Sequence, residues 1–165
     1  MGNLWMCVVL VGLATACGGS GTDVDYLALP PQEAADQVTA TVCDQVFACG
    51  VVSFDTSADP WTAHYEPAAT IYPTLMACTD ELSPGYVEMF AGCAMAGLTS
   101  SERADVNACL SADAVCLSQA ELDAEALALQ RGEPFGSDAC KRASTVFERC
   151  KTCFELPDDP SCASS

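Results

Sequence analysis

The first 102 residues contain no lysine and no arginine; Arg103 is the first basic side chain. Over 165 residues, six Lys and Arg stand against 23 Asp and Glu, a formal net charge of −17. Such a surface repels nucleic acid and anionic lipid head groups, so neither is expected as a partner of the bare polypeptide. Histidine is almost missing. His64 is the only one, with no nucleophile beside it in the sequence. No G-x-S-x-G elbow, P-loop or dinucleotide fingerprint occurs, so no catalytic residue, no cofactor and no enzyme activity is assigned. Long hydrophobic runs are also lacking. The longest, LWMCVVLVGLATA at 4–16, falls short of the roughly 20 residues that span a bilayer as a helix. Charged residues make up only 18% and apolar ones 50%, a balance that excludes a disordered chain.

Cysteine, in contrast, is abundant, with twelve in the chain. In a reducing cytosol that number points to metal sites; in an exported protein it points to crosslinks. The N-terminus decides between them. The apolar run has the length of a signal-peptide core, and Ala14-Thr15-Ala16 supplies small-x-small cleavage residues, although MGNLWM carries no positive charge ahead of it.

Leu13-Ala14-Thr15-Ala16-Cys17 resembles the lipobox of bacterial lipoproteins, with Ala14 where leucine is commonest. The resemblance covers this segment alone. It implies removal of residues 1–16, a diacylglyceryl group on the Cys17 sulfur and acylation of its amine, which together anchor the chain firmly where one acyl chain is marginal. Two other readings compete: plain secretion with cleavage at the same Ala16, and an uncleaved helix that buries Cys17. Parity separates them. Ten cysteines follow Cys17, namely Cys43, Cys49, Cys78, Cys93, Cys109, Cys116, Cys140, Cys150, Cys153 and Cys162. Ten can all pair, so plain secretion leaves Cys17 an exposed odd thiol, whereas lipidation consumes it. An uncleaved helix would have to run into GGSG. GGSGTDVD is better read as a flexible spacer, which makes residues 17–30 the anchor cysteine and its linker. The absence of Asp after the cysteine implies, by the sorting preference of such lipoproteins, the outer membrane.

Residues 31–165 are expected to form one cysteine-rich domain. Helix punctuation recurs throughout. PQEAADQVTATVCDQVFAC, 31–49, opens on proline and stops at Gly50, with Ala35, Val38, Val42, Val46 and Cys49 at helical spacing. Within 50–65, otherwise irregular, VVSF fits a short strand. A broken helix is expected over 67–82, then a second from Ser83-Pro84 to Gly97. Thr99-x-x-Glu102 and Ser118-x-x-Glu121 read as capping boxes of helices reaching about 110 and 131. A last helix runs from Ser137-Asp138 to about Cys153, before Pro157 and Pro160. With strand alternation nearly absent, the expected class is all-α: a small disulfide-stabilised bundle of five or six short helices. Such helices are marginal alone, and disulfides supply support.

Three motifs contain residue types that chemistry uses. CKTC, Cys150 to Cys153, has thiol-exchange spacing, but it ends a helix, where the dipole opposes thiolate formation. Structural bridging is the preferred reading, with thiol–disulfide or metal handling by Cys140, Cys150, Cys153 and Cys162 as the alternative function. Their C-x9-C-x2-C-x8-C spacing matches no standard zinc pattern, so no metal is assigned. DTSADPWTAHYE places Asp55, Ser57, Asp59 and Glu66 at calcium-loop positions. Pro60, however, occupies the position that needs glycine, and Thr62 replaces an aliphatic residue. Cys162, in a proline-rich tail, is expected to close a short loop onto Cys140, Cys150 or Cys153. The sequence thus points to an exported, lipid-anchored protein of structural or binding role whose protein or small-molecule ligand it does not name.

Overall fold

The computed structural model describes residues 24–111 and 116–162. Among them lie six α-helices: α1 (Pro31–Cys49), α2 (Ala68–Ile71), α3 (Leu75–Met95), α4 (Ser100–Leu110), α5 (Gln119–Gln130) and α6 (Asp138–Glu155). One hairpin, β1 (Val51–Asp55) and β2 (Thr62–Glu66), follows α1, and 3-10 turns cover Tyr26–Ala28 and Pro160–Cys162. The fold is a small, disulfide-stapled helical bundle.

Local chemistry sets most helix ends. Pro31 begins α1, where a missing N–H costs nothing. Gly50 ends it at φ 99°, a conformation open to glycine; a β-carbon there would also stand 2.5 Å from the Glu66 carbonyl oxygen. Thr99 and Ser118 each form a reciprocal capping box with Glu102 and Glu121. Ser137 caps α6 by accepting from the Cys140 amide at 3.2 Å.

Two expectations are corrected. The break at Ser83-Pro84 does not occur: α3 is one helix from Leu75 through Pro84 to Met95, capped by Thr74, and only Ala68–Ile71 stands apart before it. Proline costs a helix interior about 3 kcal/mol. Here Leu82 and Phe90, at 1% and 3% exposure, bury on either side of it, and disulfides at Cys78 and Cys93 fix both halves. Ordered structure also begins ahead of residue 31. Tyr26 is buried in the main core, and Asp25 accepts from Asn107 at 2.7 Å and pairs with Arg103, so the end of the expected spacer packs onto α4.

In the bundle α1 packs on α3, α3 on α6, and α6 on α4. Each of these contacts is crossed by a disulfide. Cys43–Cys78 joins α1 to α3, Cys93–Cys150 joins α3 to α6, and Cys109–Cys140 joins α4 to α6. Cys153–Cys162 folds the C-terminal turn onto α6. The main core between these helices includes Val38, Val42, Val46, Leu82, Phe90, Val106 and Val146.

A second, smaller core lies outside the bundle. The hairpin is antiparallel, with Val52 opposite Tyr65 and Phe54 opposite Ala63. Those four side chains share one face, as the two-residue period of a strand requires. Helix α5 covers that face, burying Ala63, Leu122 and Ala126, with Trp61 and Leu117 partly buried beside them. Phe135 meets Phe54 edge to face at 5.6 Å. Two strands alone are marginal in water, so α5 is what makes this hairpin persist.

Candidate functional site

The C-terminal cysteines converge on α6 but do not form a reactive pair. Ala143, Val146, Cys150 and Cys153 are the buried residues of that helix, following the three-and-four spacing that puts a stripe on one face. Cys150 and Cys153 therefore point the same way, yet bond different partners, Cys93 and Cys162. Both are fully buried. Cys140 bonds Cys109. The four cysteines considered together for thiol or metal chemistry are spent in three separate bridges. Cys162 closes its loop onto Cys153, nine residues away.

The acidic segment 55–66 does not close around a cation. Asp55 pairs with Thr62 across the hairpin, whereas Glu66 pairs with Val51 at the other end. That separation is four rungs, about 13 Å at strand rise. Ser57 donates its hydroxyl and amide to Asp55 at 2.6 and 2.9 Å, which holds that carboxyl below its usual range. Asp59 accepts from Gln130. His64 lies on the outward face of β2, 3.8 Å from Glu66. Among the described residues no group of three or more His, Cys, Asp or Glu could hold a metal ion.

The charge distribution folds into a directional pattern. All six basic residues of the chain have an acidic neighbour: Arg103–Asp25, Arg131–Glu133, Lys141–Glu125, Arg142–Asp105, Arg149–Glu102 and Lys151–Glu155. These cations sit on α4, α5 and α6 or just after them. The acids of α1 and α3, such as Asp36, Asp44 and Glu88, have no cation on their own helices.

The feature sequence reasoning missed lies at the C-terminal end of α1. Cys49, the last residue of that helix, bonds Cys116, two residues before the Ser118 cap of α5. Cys116 is exposed and Cys49 half-buried. Beside Cys49 is a shallow depression of about 440 Å³ lined by Phe47, Tyr65, Glu66, Pro67 and Ala68. Phe47 is 39% exposed. Spacing gave no clue to this bridge, because its halves are 67 residues apart.

Cys17, the lipobox-like segment and the cleavage residues lie outside the described residues. No helix among the described residues is long and apolar enough to cross a membrane. Five disulfides mark the chain as a protein of an oxidising, exported compartment. In comparisons with protein-family models, curated proteins and solved structures, no match was found.

Proposed function

We propose that this chain is an exported, lipid-anchored domain of structural or binding role, held to the outer membrane by acyl groups on Cys17 and standing off that surface on the segment that follows. The observation that supports this most is the closed set of bridges. The ten cysteines after residue 17 pair entirely among themselves, so none is left for Cys17. A thiol that emerges at the mature N-terminus without a disulfide partner is what lipid attachment uses. The negative surface supports the same reading, because a domain of net charge −17 is repelled by anionic head groups and needs an anchor to stay at a membrane.

The test is fractionation of cells expressing the full chain, with a fatty-acid label and intact-mass measurement of the mature N-terminus. The wild-type chain is expected in the outer-membrane fraction, labelled, beginning at residue 17. Cys17→Ser is expected to lose the label and leave the membrane. An unlabelled wild-type chain that begins at residue 17 in the soluble fraction would establish plain secretion instead.

A further inference from the structure

We infer that Cys49–Cys116 is a thiol-exchange site: it is the bridge an external dithiol reaches first, and opening it releases the hairpin–α5 lobe while the helical bundle stays folded. Two observations carry this. The first is access. Cys116 is exposed and Cys49 half-buried, whereas each of the other four bridges has at least one residue at 5% exposure or less. Attack on a disulfide requires a thiolate to approach one sulfur along the sulfur–sulfur axis, so access to that sulfur governs exchange, and in the other four bridges every cysteine is buried except the half-buried Cys140. The acidic surroundings disfavour an anionic reagent; the reductant that fits is an uncharged or cationic dithiol.

The second observation concerns consequence. Ala63, Leu122 and Ala126 form a core separate from that of the bundle, and α5 makes its main packing contact with β2 rather than with a bundle helix. Besides the Cys49–Cys116 bridge, α5 and its flanking turn are tied across by Lys141–Glu125 at 3.1 Å and by the Gly136 amide, which donates to Glu125 at 3.1 Å. Segments with few buried apolar contacts open at lower free energy than the rest of a domain.

The exchange is balanced as follows. A thiolate of the dithiol attacks Sγ of Cys116, the more exposed half; a bond forms between them, and Cys49 leaves with the electron pair and takes up a proton. The second thiolate of the dithiol then attacks its own sulfur in the mixed disulfide. Cys116 leaves and is protonated, and the reagent departs as a disulfide, having lost two electrons and two protons to the protein.

Dithiothreitol serves as the probe. The oxidised protein is exposed to rising concentrations, quenched with acid, alkylated and mapped by peptide mass. Cys49 and Cys116 are expected to be alkylated together, about ten-fold or more faster than any other cysteine. Hydrogen exchange on the product is expected to accelerate by about ten-fold in residues 51–66 and 119–130, with α1, α3 and α6 unchanged. Cys49→Ser/Cys116→Ser should reproduce that pattern without reductant. The inference is overturned if another bridge opens first, if all five open together, or if the lobe keeps its protection after Cys49–Cys116 is reduced. Should the double variant not fold, the wild-type alkylation order still decides.

Discussion

Gly92 of α3 lies directly against the main chain of Cys150 in α6, so close that a β-carbon at residue 92 would overlap the Cys150 carbonyl oxygen and stand 2.7 Å from its carbonyl carbon. The two helices meet here because nothing projects between them. The adjacent bridge, Cys93–Cys150, holds its Cα atoms 4.3 Å apart. A backbone carbonyl cannot swing aside as a side chain can, so Gly92→Ala has to separate the helices. We expect it to cost about 3 kcal/mol, measured as a lower urea midpoint, and to leave a fraction of molecules with Cys93 and Cys150 as titratable thiols. An unchanged midpoint with no free thiol would contradict this close approach.

Pro84 gives a prediction of opposite sign. It sits exposed inside α3 and cannot donate to the Asp80 carbonyl one turn earlier. Pro84→Ala restores that donor and removes the ring. We expect stabilisation of about 1 kcal/mol or more, seen as a Tm increase of about 3 °C. A lower Tm would mean that the packing of Leu82 and Phe90 depends on a bend that proline imposes.

Glu102 links α4 to α6 and carries a pH dependence. Its carboxylate receives Arg149 at 2.9 Å and the Thr99 amide and hydroxyl at 2.8 and 2.9 Å. Those contacts, the pairing with the Arg149 guanidinium foremost, lower its pKa from 4.5 to about 2. A pKa depressed in the folded state gives stability that is fully present above pH 4.5 and is lost as pH falls toward about 2. With the side chain 26% exposed, solvent screening limits the ion pair to about 1 kcal/mol. Glu102→Gln keeps the capping box, which glutamine also serves, but loses the charge. It should therefore be less stable than wild type by about 1 kcal/mol at pH 7, and urea titrations should show that gap closing between pH 4.5 and about 2. A gap independent of pH would assign the loss to packing.

The bridges should differ in worth with the length of chain they close. Cys153–Cys162 spans nine residues and Cys43–Cys78 spans 35, which in a chain-entropy account gives about 2.6 and 3.8 kcal/mol. Replacing both cysteines of a bridge by alanine is expected to rank the two variants in that order by urea midpoint. Full reduction of all five should unfold the domain at 37 °C. A circular dichroism melt unaltered on protein shown to be reduced would defeat that expectation.

Much of the helical content was legible because helix ends are settled by chemistry within four residues. Pro31 and Gly50 bracket α1 as the sequence indicates. Both capping boxes form, at Thr99 and Ser118. A cap satisfies backbone donors through its own neighbours and needs no distant partner. The hairpin was only half legible. Five residues give a strand little more than two periods of alternation, and Thr62-Ala63-His64-Tyr65-Glu66 shows an apolar face only once Val52 and Phe54 stand opposite.

What the sequence determined by itself was the class and the helix boundaries set by capping residues, since those follow from composition, periodicity and local hydrogen bonding. The tertiary structure decided which cysteines meet, that Pro84 is carried inside a continuous α3, and that Cys116 is exposed and Cys49 half-buried while Cys150 and Cys153 are buried. These depend on which helix faces pack together. Residues 67 positions apart in sequence, as in Cys49–Cys116, become neighbours only when burial of two separate cores sets the paths between them.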